Sequence, residues 1–397
     1  MFYIFNQIKK QYIFDGIVYA NDDPLKTIEA VSNLVSFSIE HGISGNLWKK
    51  YILYTLIYKE NPYTLSIEMN QETVGDSNLV RMDFETYFSF YKKEYAFLTE
   101  TKYFMFKRKE DNYLASLIDD LYNKIEKDLT YDNFYKVMID FYKNKGVADM
   151  AIYHAFRVQD GELKPIKNVL KMTFKDIIGY DFQKQQLIEN TLNFINNKTY
   201  NNVLLYGDAG TGKSSSIKAL LNEYFDKGLR IIEVYKHQMK EISKIIHKLK
   251  TRPYHYIIYM DDLSFEEDEI EYKYLKSVIE GGIEPKPNNV AIYATSNRRH
   301  LIKETISDNG SVFDDLHRNE TAAEKLSLSY RFGLQIYYSS LSPMEFKAMV
   351  LEMAKRNNIT YNSEKLLIEA NKWQMRNGSL SGRCAEQFIK YISNKTE

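Results

Sequence analysis

Residues 203–214 read VLLYGDAGTGKS, and the fold is decided there. The apolar run Val203, Leu204, Leu205, Tyr206 has the length and composition of a buried strand. Behind it stands GxxxxGK closed by Ser, the pattern of a loop that wraps phosphate groups and opens a helix. The glycines Gly207, Gly210 and Gly212 permit a tight turn and let main-chain N–H groups approach an anion where a side chain would intrude. Lys213 adds a point charge for the outer phosphates, and the Ser214 hydroxyl suits Mg²⁺. Ile217, Leu220, Leu221 and Tyr224 then recur at i, i+3, i+4 and i+7, which makes one buried helical face. The expectation is a nucleoside triphosphate with Mg²⁺, held by Gly207, Asp208, Ala209, Gly210, Thr211, Gly212, Lys213, Ser214 and Ser215.

Outward from this loop, strands alternate with helices. Strands are expected at Asn202–Tyr206, Arg230–Val234, Tyr256–Met260, Val290–Thr295 and Leu334–Tyr338. Between them, Met239, Ile242, Ile246 and Leu249 are spaced for a helix. This alternation implies an α/β fold, a five-stranded parallel sheet with helices on both faces and a ligand at the carboxyl ends of the strands. Ser342, Pro343 and Glu345 form a helix start with a capping-box pattern, and Phe346, Met349, Val350 and Met353 give that helix a buried face, so a small helical lid is expected over 341–397.

The chain has 397 residues, more than one usual core, and its first part reads as helices. Asp23 and Pro24 open one, with Ile28, Val31 and Val35 along a face and Gly42 past its end. A second starts near Asn46 with Leu47, Tyr51, Tyr54 and Tyr58 aligned and stops before Pro62. Others are expected over Leu79–Leu98 and from a Thr130 cap to Gly146. The aromatic stripes suit a core better than a binding surface. The division expected is a helical N-terminal domain over 1–150, a connecting segment over 151–175 broken by Gly161 and Pro165, the ATP-binding domain over 176–340, and the lid.

Lys plus Arg and Asp plus Glu both number 53, so no global field favours nucleic acid or an anionic membrane. The single cysteine, Cys384, permits no internal disulfide and reads as a small packed residue rather than a nucleophile. The opening MFYIFNQIKK has too short an apolar stretch for a signal peptide, and no run approaches the ~20 residues of a membrane span. A soluble, cytoplasmic protein is expected.

A second constellation follows the third of these strands, which ends in Asp261 and Asp262. An acidic residue there faces the phosphate loop: Asp261 is the metal-side candidate and Asp262 the one to polarise an attacking water. Paired aspartates after a strand also form turns, and it is the coupling to the phosphate loop that favours function.

These motifs, in this order, resemble the AAA+ ATPases over residues 172–395. Ala294, Thr295, Ser296 and Asn297 look like the sensor 1 strand, which implies that Asn297 orients water or reads the γ-phosphate. Ser329, Tyr330, Arg331, Phe332 and Gly333 resemble the box carrying the arginine finger, which implies that Arg331 reaches into a neighbouring subunit of a homo-oligomer. Ser381, Gly382 and Arg383 are similar to sensor 2, placing Arg383 over the phosphates of its own subunit. Ile177, Ile178, Gly179 and Tyr180 look like the segment that packs on the adenine. More narrowly, GYDFQKQQLIEN (179–190), MDDLSFEEDE (260–269), IEGGIEPKPNNVAIYATSNRRHL (279–301) and EKLSLSYRFGL (324–334) resemble an uncharacterised bacterial AAA+-like ATP-binding family, a domain of unknown function.

Departures shape what the resemblance implies. Asp262 stands where AAA+ proteins usually carry Glu, one methylene further from the phosphate, which points to slow hydrolysis or a differently placed water. Tyr235, Lys236 and His237 replace the pore-loop pattern of unfoldases, so polypeptide threading is not supported. The polar stretch from Lys303 to Lys325, with His300, His317, Glu320 and Glu324, reads as a solvated loop rather than a metal site. The leading expectation is an ATP-hydrolysing machine that remodels an unknown protein partner as an oligomer, with lid closure moving the N-terminal helices. The alternative is a nucleotide-dependent switch or scaffold with little hydrolysis. A loader or motor on DNA rests only on basic residues such as Arg298, Arg299 and His300.

Overall fold

The computed structural model describes residues 5, 10–20, 23–69, 78–103, 112–266, 269–280, 286–299, 301 and 328–394. The chain divides into two compact units, Met1–Tyr153 and His154–Glu397.

The first unit is helical. Asp23 caps the helix Pro24–His41 by accepting from the amides of Leu25 (3.0 Å) and Lys26 (3.4 Å), and Gly42 ends it in the left-handed conformation. Its buried residues are Ala30, Leu34, Phe37 and Ser38; Val31 and Val35 of the expected face pack partly buried against the same core, while Ile28 is 67% exposed. The β-branched residues are spaced for a helix, but the ring of Phe37 packs edge-on against Tyr51 and Tyr54, and this larger aromatic contact sets the orientation. Asn46 caps Leu47–Ile57, every residue of which is buried except Lys49. The helix expected over Leu79–Leu98 runs from Asn78 to Lys92, and a separate 3₁₀ turn covers Ala96–Leu98. Thr130 caps Tyr131–Lys145, with Gly146 beyond it. Tyr51, Tyr54, Tyr87, Tyr91 and Tyr142 are at most 1% exposed, so the aromatic stripes form the core.

The second unit is built on a sheet that has seven strands among the described residues: β1 (Ala155–Gln159), β2 (Glu162–Pro165), β3 (Val203–Gly207), β4 (Leu229–Glu233), β5 (His255–Met260), β6 (Val290–Ser296) and β7 (Leu334–Tyr338). Their order is β2-β1-β4-β5-β6-β3-β7, and every pair is parallel except β1 with β2. The five expected strands are β3 to β7. Residues 151–175, read as a connecting segment, instead contain the hairpin β1–β2, which extends the sheet at its β4 edge. Its two-residue turn is Asp160–Gly161, both with positive φ (53° and 69°), the backbone that matches strand twist. Gly161 thus makes the turn of a hairpin rather than breaking the chain.

Central strands of a parallel sheet are covered on both faces and read as continuous apolar runs. All seven residues of β6 are buried, and β5 is buried from Tyr256 to Met260. Asp181–Ile195 and Lys213–Tyr224 cover one face through Leu187, Phe194, Ile217 and Leu220, which pack with Val203, Leu205, Ile257 and Tyr293. Three helices after β7, Pro343–Arg356, Ser363–Asn377 and Gly382–Ser393, bury Phe346, Val350, Ala370, Phe388 and Cys384 in a smaller core of their own. Cys384 is therefore a packed residue, its thiol pushed up by burial. The second unit is thus α/β, a mostly parallel sheet flanked by helices with the expected small helical lid after it, and the first unit is mainly helical.

Candidate functional site

β6 lies between β5 and β3. Whatever follows β6 must therefore stand between the loop after β3 and the acids after β5, and the site is built on that adjacency.

The loop is shaped by close backbone approach. Gly207 (φ 132°) leaves β3 where a Cβ would overlap the carbonyl oxygen of Tyr338, and the Asp208 amide donates to that oxygen at 3.1 Å. At Gly210 (φ 78°) a Cβ would lie 2.9 Å from Arg383 Cβ. Gly212 is the N-cap of Lys213–Tyr224 and offers no side-chain oxygen, so the first amides of a 12-residue helix stay available to an anion. Thr211 Oγ1 donates to Asp208 O at 2.8 Å within the loop, and Ala209 and Ser215 lie in the open part of the turn and in the first helical turn.

Lys213 is buried. Its Nζ donates to Gly207 O (2.8 Å), Asp208 O (2.7 Å) and Asn297 Oδ1 (3.2 Å). Burial lowers its pKa, opposed by Asp208, Asp262 and Asp261. The amide of Asn297 turns its nitrogen to Asp262 Oδ1 at 2.7 Å, so one side chain joins the lysine to the second acid. Asp262 sits in the left-handed region (φ 49°), a conformation that a non-glycine residue adopts only where its surroundings hold it. One holding contact is its amide, which donates to Thr295 Oγ1 at 2.9 Å. Ser214 Oγ donates to Asp261 Oδ1 at 2.6 Å, and Thr295 Oγ1 donates to the same oxygen at 2.6 Å. Burial pushes the Asp261 carboxyl up, but the hydrogen bonds from Ser214 and Thr295 leave it below the ordinary carboxylate value.

Ser214 and Asp261 present hard oxygens, the donor type Mg²⁺ takes with phosphate and water. Among the described residues no three His, Cys, Asp or Glu side chains gather as a metal cage. The buried Tyr259 hydroxyl beside Asp261 forms no hydrogen bond of normal geometry among the described residues. These residues fit the metal.

Arg383 donates its amide to Gly210 O at 3.2 Å, and its side chain is exposed above the loop. Ile178 packs with the lid core, and a Cβ at Gly179 (φ 78°) would lie 3.9 Å from Met349 Cε, so this segment meets the lid helix Pro343–Arg356. Asp208 Oδ2 accepts from the Ser340 amide (2.9 Å) and hydroxyl (2.6 Å), tying the loop to the start of the lid. Arg331 is not brought to this cluster. It precedes β7, at the opposite end of the strands, where Nε donates to Glu280 Oε1 at 2.6 Å.

A cavity of about 430 Å³ opens beside the loop, lined by Tyr206, Gly207, Asp208, Asn297, Arg299 and Tyr337. Arg299, one of the basic residues on which a DNA-acting reading rests, thus lines the cavity beside the 207–214 loop. His300 and the stretch 303–325, with His317, Glu320 and Glu324, lie outside the described residues. Sequence reasoning missed Thr295, Tyr259 and Ser340. Period 2 along a strand held the signal for the first two: Tyr259 shares a face with Asp261, and Thr295 one with Asn297.

A family model described as "Protein of unknown function (DUF815)" matches residues 150–396. The chain belongs to this family. DUF815 thus covers β1 to the last lid helix and excludes nearly all of the N-terminal unit. No curated protein matches the chain. Among solved structures, a point mutant of Thermotoga maritima RuvB is 15% identical with a TM-score of 0.39, covering 56% of this chain. The chain spans 65% of the length of that structure. The Thermotoga maritima RuvB Holliday junction branch migration motor is 12% identical with a TM-score of 0.32, over 55% of this chain and 71% of its own. At such distances no residue role passes from RuvB to this DUF815 chain. No described helix is long and apolar enough to cross a membrane.

Proposed function

We propose that the chain binds Mg·ATP at the 207–214 loop and hydrolyses it to drive conformational remodelling of a macromolecular partner, as a homo-oligomer in the cytoplasm. The observation that carries this reading is the convergence of Lys213, Ser214, Asp261, Asp262 and Asn297 at the carboxyl ends of three adjacent strands. Main-chain amides of the loop and helix start bind the phosphates, and Lys213 and Arg383 add charge where it develops in the transition state. Ser214 and Asp261 hold Mg²⁺, which neutralises the phosphate oxygens when bound. Asp262, oriented by Asn297, accepts a proton from the attacking water. Ile178 and Gly179, next to the lid, flank the adenine. Arg331 cannot serve its own loop from the far end of the strands, and it reaches that of a neighbour by exchanging Glu280 for phosphate.

Calorimetry with Mg·ATP and phosphate release tests this. Lys213→Ala is expected to give no binding heat, and Arg331→Ala to bind ATP normally while turnover falls by about 10³-fold, as arginine fingers do. Undiminished turnover in both variants overturns the reading.

One observation favours a second reading, a nucleotide-dependent switch: Asp262, shorter than the usual glutamate, is already engaged by Asn297. Tight ATP binding with negligible turnover, with and without cell extract, would select it.

A further inference from the structure

Tyr259 lies on β5 two residues before Asp261, and strand alternation puts both side chains on the face covered by the helix Lys213–Tyr224. β5 and β6 pair in register at Tyr259 and Tyr293, so Thr295 occupies the corresponding place beside Asp261. The Tyr259 side chain is 4% exposed, and its polar neighbours are Ser214, Asp261 and Thr295. Yet the hydroxyl forms no hydrogen bond of normal geometry among the described residues.

The other buried tyrosines of this face are matched. Tyr293 Oη accepts from Asn190 Nδ2 at 3.0 Å and meets Thr191 Oγ1 at 2.9 Å, and Tyr338 Oη donates to Ser216 Oγ at 3.0 Å. An unmatched buried hydroxyl is destabilising, and phenylalanine would fill the same volume without that cost. Of the acceptors beside Tyr259, Asp261 Oδ1 already accepts from both Ser214 and Thr295. What is lacking is a partner that arrives with its own donors and acceptors. Mg²⁺ keeps several waters when it binds through one or two side chains, and those waters are such partners.

We infer that Tyr259 is a positioning residue for the divalent cation: its hydroxyl hydrogen-bonds the hydration shell of the ion held by Ser214 and Asp261, fixing where that ion stands. The inference rests on the nucleotide-binding reading above. It assigns the tyrosine no contact with the nucleotide and no proton transfer. Outer-shell partners of this kind typically change metal affinity by about 10–100-fold.

The test is Tyr259→Phe, which removes only an unmatched hydroxyl and so retains the fold. Mn²⁺ is titrated into the protein with ADP present and free Mn²⁺ is read by electron paramagnetic resonance. ADP binding in EDTA and the melting temperature without ligands are measured alongside. The expected result is Mn²⁺ affinity weakened about tenfold or more, ADP binding in EDTA unchanged, and melting temperature unchanged or raised. Mn²⁺ affinity within twofold of wild type overturns the inference and leaves Tyr259 an unmatched core hydroxyl. If the wild-type chain itself binds neither ADP in EDTA nor Mn²⁺ with ADP, the nucleotide reading fails, and the inference with it.

Discussion

Thr295 Oγ1 donates to Asp261 Oδ1 at 2.6 Å and itself accepts from the amide of Asp262 at 2.9 Å. One hydroxyl at the end of β6 therefore sets both acids at the end of β5. Valine has nearly the same shape but lacks the hydroxyl. Thr295→Val is expected to leave the Asp262 amide unmatched and to release a charged hydrogen bond of about 1.5–3 kcal/mol, lowering turnover by about 10–100-fold. Steady-state kinetics with parallel calorimetry check this. An unchanged kcat would show that neither acid depends on the bridge.

Gly207 leaves no room for a side chain, because a Cβ would overlap the Tyr338 carbonyl that also accepts from the Asp208 amide. The obstacle is backbone in the neighbouring strand, which cannot move without breaking the β3–β7 pairing. Gly207→Ala is expected to destabilise the second unit by more than about 4 kcal/mol, in the range of overpacked and strained sites. Urea denaturation checks it, and a loss below 1 kcal/mol would contradict the close approach.

The carboxylate of Asp208 holds Ser340 by two hydrogen bonds, so loop and lid share a residue. In Asp208→Ala both are lost. Amide exchange over residues 339–342 should accelerate, with a stability loss of about 1–3 kcal/mol. Exchange at wild-type rates would show that Leu341, whose amide donates to Leu380 O at 3.0 Å, anchors the lid alone.

His154 stacks on Phe225 beside Arg230. Burial, and then the Arg230 guanidinium, lower its pKa from 6.5 to about 4, with Asp226 opposing. A depressed folded pKa means that the unfolded chain takes up the proton first. The stability contribution is thus complete above pH 6.5 and is lost as pH falls towards 4, by at most about 3 kcal/mol at 1.36 kcal/mol per unit. Denaturation midpoints measured across this window should decline, and His154→Gln should flatten the decline. An identical slope in the variant would assign the effect to other groups.

Much of this was legible in the chain because it depends on local pattern. GDAGTGKS between an apolar run and a 3.6-residue period announced strand, loop and helix, and β3 to β7 lie within one residue of where alternation put them. Asp23, Asn46, Thr130 and Ser342 cap the helices they precede, since capping needs only neighbours in sequence. The β1–β2 hairpin was missed although Asp160–Gly161 is its turn signal, because flanking strands of five and four residues carry little periodicity. Ile28 was placed on the wrong face because a helix with apolar residues on two sides leaves the choice to the aromatic core it meets.

The sequence by itself determined that a phosphate-wrapping loop opens a helix in a parallel α/β fold, since glycine freedom, apolar period and capping act over a few residues. Only the tertiary structure decided which side chains join that loop. Strand order puts β6 between β3 and β5, so Thr295 and Asn297 fall between the lysine and the acids, and the lid brings Arg383 to Gly210 from the other end of the domain. Those distances follow from sheet order and helix packing, which no stretch of neighbouring residues contains.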